Sequence, residues 1–192
     1  DALAAQLKDF PNAVWSTYGM TETLSHIALR KLNGHDASEW YTPFHDVKIS
    51  LTSDNCLQIH APQVNPDIIT TNDIAELNPK DPRQFRILGR KDNIICSGGI
   101  KLQIEQIEEA LRPLIDMPFA IAKRPDPQYG EVPILVMEKT GNIDNIESLN
   151  NLYKLGNLSK YALPKQIIAI DRIPLTETGK IARKRLSELI QS

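Results

Sequence analysis

Leu88-Gly89-Arg90-Lys91-Asp92-Asn93-Ile94-Ile95-Cys96-Ser97-Gly98-Gly99 is the stretch on which the reading of this chain turns. Before it, apolar residues alternate with polar ones in short runs. After it, Ile104, Ile107, Leu111 and Leu114 recur at helical spacing. A change of period at the consecutive charges Arg90-Lys91-Asp92 predicts a joint between two domains. The paired glycine that follows lets backbone approach a ligand closely, because glycine carries no Cβ. The plainer reading of the same residues is a linker followed by a hairpin turn. The division predicted is residues 1–89 and residues 90–192.

Upstream of the joint, Ala2, Leu3, Ala4, Ala5 and Leu7 read as a helix, and Val14-Trp15-Ser16-Thr17-Tyr18 as a strand stopped at Gly19. Val47, Ile49 and Leu51, then Leu57 and Ile59, alternate with polar residues around Ser53-Asp54-Asn55, which predicts a hairpin of half-buried strands. Short strands around Ile68-Ile69 and Phe85–Ile87 flank the turn-rich Asn78-Pro79-Lys80-Asp81-Pro82, so residues 40–88 read as a small β layer or barrel. Downstream, strands at Ala120–Ala122, Ile134–Met137 and Gln166–Ile170 alternate with helices near Ile146–Leu155 and from Lys180. That order predicts a compact α+β domain of about 100 residues.

Composition narrows the function classes. Twenty-two basic residues against 24 acidic ones imply no broad electrostatic surface for nucleic acid or anionic lipid. The two cysteines, Cys56 and Cys96, show no pairing pattern and fit a reducing compartment, with cytoplasm as the default. No apolar run approaches the roughly 20 residues of a membrane helix, and no signal peptide is visible. The sequence opens without Met, directly in a helix, so the natural protein is expected to extend upstream. There is no G-x-S-x-G, H-E-x-x-H, paired C-x-x-C or G-x-G-x-x-G, and His26, His35, His45 and His60 lack ligand spacing. Gly179-Lys180 is no P-loop, because the position five before Gly179 is Pro174.

Four segments carry chemistry. In Tyr18-Gly19-Met20-Thr21-Glu22-Thr23 a ring that can stack on a base precedes a hydroxyl suited to phosphate and a carboxylate suited to Mg²⁺. The bland alternative makes Thr21 the cap of a helix with Glu22 in its first turn. In Thr71-Asn72-Asp73 a carboxylate at a strand end can accept from two ribose hydroxyls, against a turn-making role. The third segment is the joint itself. The fourth, Pro174-Leu175-Thr176-Glu177-Thr178-Gly179-Lys180-Ile181, holds a lysine on a glycine loop ahead of a basic helix; a solvated lysine is the plain reading.

In this order the four segments resemble the adenylate-forming superfamily of acyl-CoA synthetases, luciferases and peptide-synthetase adenylation domains. The resemblance spans nearly the whole chain but only the last part of that family's length, without its phosphate loop. It implies the C-terminal part of the large α/β domain with a small β-barrel-like subdomain, followed by a small mobile α+β domain. It further implies that Tyr18 and Gly19 border adenine, Thr21 contacts phosphate, Glu22 binds Mg²⁺, and Asp73 and Arg90 hold the ribose. Lys180 becomes the adenylation lysine, a mobile cation that bridges attacking carboxylate and α-phosphate. Asp92 falls on the hinge position, and Gly98 and Gly99 face the nucleotide when the thiol is admitted. Asn72, where the family often has Gly, and Ile100-Lys101 after the glycine pair depart from the pattern and blur the subfamily.

Residues Tyr18 to Ala28 look like o-succinylbenzoate-CoA ligases of menaquinone synthesis, which places Ser25 and His26 near an aromatic dicarboxylate; that both simply begin a helix is the alternative. The expected activity is ATP-dependent and AMP-forming, with ATP, Mg²⁺, coenzyme A and a carboxylic acid as partners, no nucleic acid and no membrane. A homo-oligomer is compatible with it. These 192 residues alone are expected to be inactive. One rival is an adenylation domain loading a carrier protein, which predicts a carrier domain after Lys180, whereas the sequence stops at Ser192. The other is a non-catalytic nucleotide-binding module. The basic cluster Lys180, Arg183, Lys184 and Arg185 reads either as a contact for CoA phosphates or as a solvated helix face.

Overall fold

In the computed structural model, which describes residues 2–139 and 158–191, the chain separates into two units, Asp1–Asp92 and Asn93–Ser192. The first begins with a short helix α1 (Ala2–Gln6) and an antiparallel sheet of β1 (Trp15–Gly19), β2 (His26–Lys31) and β3 (Thr42–Pro43). A second antiparallel sheet follows in chain order, β4 (Lys48–Leu51), β5 (Cys56–His60), β6 (Ile69–Asn78) and β7 (Asp81–Arg90).

The alternation read in the sequence becomes cross-strand pairing: Ile49 lies opposite Ile59 and Leu51 opposite Leu57. Apolar side chains of both strands therefore share one face, where such pairs stabilise a sheet. Asn55 closes the hairpin turn at φ 60, with its N–H donated to the Thr52 carbonyl at 2.9 Å.

Where two short strands were expected, β6 and β7 run ten residues each. Their polar residues satisfy one another across the ladder. Arg86 lies opposite Glu76 and donates Nε and an Nη to its carboxylate at 2.9 and 2.8 Å. Alternation of apolar residues fails as a signal where charged cross-strand pairs replace it.

The two sheets meet at Phe85, which is 0% exposed. Tyr41 and Phe85 exchange backbone hydrogen bonds of 2.7 and 3.1 Å, and their rings stack at 5.5 Å. Leu57, Ile59 and Ala75 of one sheet pack with Ile27 and Ala28 of the other around this seam.

The second unit contains β8 (Ile94–Ser97), β9 (Ile100–Gln103), α2 (Ile104–Leu111), β10 (Phe119–Asp126), β11 (Gly130–Glu138), β12 (Ile167–Ile170) and α3 (Arg183–Gln191). Strand β11 pairs antiparallel with β10, parallel with β12, and through Gly130 with Ser97 of β8. Residues 132–137 are all buried because both faces of β11 are covered, the condition under which a strand reads as a continuous apolar run. Leu135 and Met137 join Ile104, Ile107 and Leu111 of α2, whereas Ile134 and Val136 join Leu186 of α3. The helix read near Ile146–Leu155 lies outside the described residues. Among the described residues no helix is long and apolar enough to cross a membrane.

Both tryptophans, Trp15 and Trp40, lie in the first unit, so their fluorescence reports its unfolding. Phe85→Ala should lower that unit's stability in a urea titration by about 3–5 kcal/mol, the cost of emptying an aromatic core site. Asn55→Ala should cost about 1 kcal/mol and Asn55→Gly almost nothing, since only the alanine must hold a left-handed backbone.

Candidate active site

The sharp stop after β1 has a steric cause. A Cβ on Gly19 would stand 2.3 Å from the Ser25 carbonyl oxygen and 2.6 Å from the His26 Cα, so the chain can double back only where there is none. The ladder of β1 with β2 shifts register at this point, between Tyr18 and Gly19. The intervening Thr21–Thr23 is a single 3-10 turn capped from Met20, and Thr21 caps nothing. The organising hydroxyl is that of Thr23, 1% exposed: it accepts the Met20 N–H at 3.0 Å and lies 2.9 and 2.7 Å from the Met20 and Ser25 carbonyls. Thr23 stood in the quoted motif without a role. Its contribution depends on the doubling back, which local sequence does not reveal.

Thr21 and Glu22 are thereby left on the surface with their side chains exposed. Leu24 follows at φ 59, a left-handed backbone that a branched side chain rarely takes. Ser25 and His26 begin no helix: His26 opens β2, because its backbone is already paired with Gly19. Ser25 Oγ and His26 Nδ1 lie 3.1 Å apart, and the imidazole meets the Phe44 ring edge-on at 5.5 Å.

Asp73 sits inside β6 rather than at a strand end, since the strand continues to Asn78. Strand register places it directly opposite Arg90, and the guanidinium lies 3.3 Å from Oδ1. From the other sheet the Tyr18 hydroxyl donates to Oδ2 at 2.6 Å. Thr71 fixes the backbone, accepting the Asp73 N–H at 3.0 Å. The same guanidinium reaches Asp92 Oδ2 at 3.4 Å, and Asn72 donates to that oxygen at 3.3 Å. Tyr18, Asp73, Arg90 and Asp92, scattered through 75 positions of sequence (18 to 92, inclusive), thus form one hydrogen-bonded group.

The Tyr18 ring packs edge-on against Phe85 at 5.2 Å and tilted against Tyr41 at 5.8 Å. Burial, and then the hydrogen bond to Asp73 and its charge, push the phenol far above the ordinary tyrosine range. The group at Asp73 therefore combines fixed acceptors with a neutral donor and one half-exposed cation, an arrangement suited to a vicinal diol.

The second unit carries the remaining residues. Gly98 and Gly99, at φ 58 and 82, form the two-residue turn of the β8–β9 hairpin, where both central residues must be left-handed. The Gly98 N–H is donated to the Tyr129 carbonyl at 2.8 Å, and a Cβ there would lie 2.9 Å from the Tyr161 ring. The hairpin turn is realised, and the close approach at Gly98 is to the Tyr161 ring. Beside them the Ser97 hydroxyl is buried with no hydrogen-bond partner among the described residues.

Lys180 lies in a turn ahead of the helix, which starts only at Arg183 because Ile181 is bridged back to Leu175. Thr176 holds that turn: its N–H is donated to the Lys180 carbonyl at 2.7 Å, and its hydroxyl accepts the Lys180 N–H at 3.1 Å. Gly179 supplies the left-handed φ of 79. The Lys180 ammonium is exposed and makes no hydrogen bond or ion pair with a described residue. The basic cluster divides. Lys184 and Arg185 are exposed, whereas Arg183 turns inward to Glu108.

For Mg²⁺ the resemblance points to one carboxylate, Glu22. Among the described residues no three of His, Cys, Asp and Glu converge on a common point. An exposed Glu22 fits a cation that keeps most of its waters and binds through substrate phosphates, and does not fit an all-protein cage.

Of the five tyrosines, Tyr18 should be the last to lose its proton in an alkaline ultraviolet titration, and Asp73→Asn should bring it downward. Since its folded pKa is raised, the stability Tyr18 contributes is complete below about pH 10 and is lost only as pH climbs through the raised value. Five phenols titrating together would contradict the Tyr18–Asp73 bond.

No protein-family model matches the chain. It is 26% identical to a 2-succinylbenzoate–CoA ligase of Listeria monocytogenes over 90% of its own length and 40% of that protein's. It is 31% identical to a salicylyl-CoA synthase / salicylate adenylyltransferase of Streptomyces over 63% of the chain and 22% of that protein. Among solved structures, the o-succinylbenzoate CoA synthetase of Bacillus subtilis, in complex with its acyl-adenylate intermediate, superposes with a TM-score of 0.77 at 20% identity. That match covers 96% of this chain and 43% of the other. ATP-bound MatB of Rhodopseudomonas palustris gives 0.78 at 19% identity, over 94% and 41%. The chain thus spans less than half the length of these proteins. Over nine-tenths of its length it is similar in sequence to the C-terminal portion of 2-succinylbenzoate–CoA ligases, and its fold is that of the same portion of acyl-CoA synthetases that form an adenylate.

Proposed function

We propose that the protein is an acid–CoA ligase working through an acyl-adenylate, and that its acid is 2-succinylbenzoate, as in menaquinone synthesis. The observation that carries this reading is the convergence of Tyr18, Asp73 and Arg90 into one group suited to a diol, with a Lys180 that has no side-chain partner among the described residues presented on a braced turn. Relatives named as 2-succinylbenzoate and salicylate ligases support an aromatic acid.

In the first half-reaction, R-COO⁻ attacks the α-phosphorus of ATP, the acyl–O–P bond forms and pyrophosphate leaves. Asp73 and Arg90 hold the ribose hydroxyls, Tyr18 and Gly19 border the base, and Thr21 donates to phosphate. Glu22 would hold Mg²⁺, which supplies positive charge to the phosphate oxygens. Two anions must approach each other, so the largest barrier is electrostatic, and the Lys180 ammonium lowers it by bridging them. In the second half-reaction the CoA thiolate attacks the acyl carbon and AMP leaves; Asp92 acts as the hinge between the two steps, and Gly98-Gly99 leave room for the thiol. Ser25 and His26 are assigned to the acid's far carboxylate, for which their adjacent hydroxyl and imidazole supply hydrogen-bonding groups. This site requires no contribution from nucleic acid or membrane, and a cytoplasmic setting suits its substrates.

The test is ATP–pyrophosphate exchange in the intact natural protein with a panel of acids including 2-succinylbenzoate and salicylate. Exchange should appear with one aromatic acid and fall about 100-fold in Lys180→Ala, the scale of losing one charge-stabilising group. Thioester formation from preformed acyl-adenylate should survive the substitution. Exchange with no acid, or a variant as active as wild type, would remove the adenylation mechanism.

A further inference from the structure

We propose that Glu108 and Arg183 are positioning residues for Lys180: their buried pair sets where the chain leaves the Lys180 turn, and so where the ammonium stands. The inference rests on the reading of Lys180 as the adenylation lysine. It goes beyond that reading in naming what holds the lysine.

Arg183 is the first residue of α3, three positions after Lys180. Its two Nη atoms donate to the two oxygens of Glu108 at 3.0 and 2.8 Å, and one donates also to the Ile121 carbonyl at 3.0 Å. Glu108 in turn accepts the Ile121 N–H at 2.8 Å. The Glu108 side chain is 8% exposed and that of Arg183 23%. Two charges and the backbone of one residue, Ile121, thus close a ring that joins α2, β10 and α3. Apolar residues of similar volume hold such a site as well as an ion pair does, so stability alone does not account for it. What a bidentate fork adds is direction, because guanidinium and carboxylate meet in one plane. Here that plane fixes the rotation of α3 at its first residue.

The turn ahead of Arg183 is braced as one piece. Thr176 bonds with Gly179 and Lys180, Leu175 is bridged to Ile181, and the Ala182 N–H is donated to the Pro174 carbonyl at 2.8 Å. Its two ends are tied differently. At the entry Ile173, 5% exposed, donates its N–H to Glu138 at 2.9 Å; at the exit stands Arg183. Lys180 itself touches nothing described that would steer it, so its position is inherited from these two ends. Misplacement of a reacting group by about 1 Å can cost about 100-fold in rate, which makes the exit anchor a determinant of the lysine's chemistry.

The experiment compares Arg183→Lys, which keeps the charge and loses the fork, and Glu108→Gln, which keeps the shape and loses the charge, with Lys180→Ala in the intact protein. Pyrophosphate exchange and thioester formation from preformed acyl-adenylate are measured separately, beside thermal melting. Exchange should fall about 10-fold or more in kcat with the KM for ATP within about two-fold, while thioester formation stays near wild type. Combined with Lys180→Ala, either substitution should cost no further exchange, because both act through one ammonium. A parallel loss of both half-reactions, or full additivity with Lys180→Ala, overturns the proposal and leaves the pair a structural anchor. Exchange intact in Lys180→Ala overturns the reading of the lysine as well, and so is told apart from failure of the positioning role alone.

Discussion

A phenol hydroxyl donated to a carboxylate, Tyr18 to Asp73 at 2.6 Å, is the contact on which the first unit's site depends. The two residues belong to different sheets and lie 55 positions apart. They can meet only because the sheets are already joined at Phe85 and Tyr41, whose backbones pair and whose rings wall in Tyr18. Burial raises the phenol's pKa further above neutrality, so it remains a donor over a wider pH range. Arg90, brought opposite by strand register, balances that charge without being buried by it. Core packing, register and site electrostatics here are one arrangement described at three levels.

The second unit uses the opposite strategy. Its sheet is covered on both faces, and α2 and α3 are set by apolar packing on β10 and β11. Packing of that kind tolerates rotation and sliding, because dispersion and hydrophobic forces have little direction. The Glu108–Arg183 pair supplies the missing direction where the chain runs from the Lys180 turn into a core helix. An exposed lysine on a surface turn would otherwise be the least defined residue in the unit.

Much of this was legible in the sequence, for identifiable reasons. Alternation around Ser53-Asp54-Asn55 and the helical period from Ile104 register directly which face is buried, and both became the expected elements. The glycine pair marked a tight turn because only glycine serves there. Motif chemistry singled out Tyr18, Asp73, Arg90 and Lys180 one at a time; that three of them touch is a consequence of β6–β7 register, which sets Arg90 opposite Asp73, and of the seam between the two sheets, which brings Tyr18 to them. Thr23, Thr176 and Glu108 escaped notice because a hydroxyl or carboxylate facing inward has the same letter as one facing water. Arg183 was misjudged for the same reason, as one member of a basic cluster whose other helical members are exposed.

Arg90 is shared in a way that bears on how the two steps of the proposed reaction are kept apart. One of its Nη atoms faces Asp73, in the diol-binding group, and the other faces Asp92, where the first unit ends. Both contacts are long, 3.3 and 3.4 Å, and half-exposed, so each is worth little by itself. Weakness is what the position requires. A strong pair to Asp92 would lock the backbone at the junction, and a strong pair to Asp73 would withhold the carboxylate from a ribose. In the proposed reaction, a guanidinium divided between two loosely held acceptors can turn from either to a bound ribose at small cost.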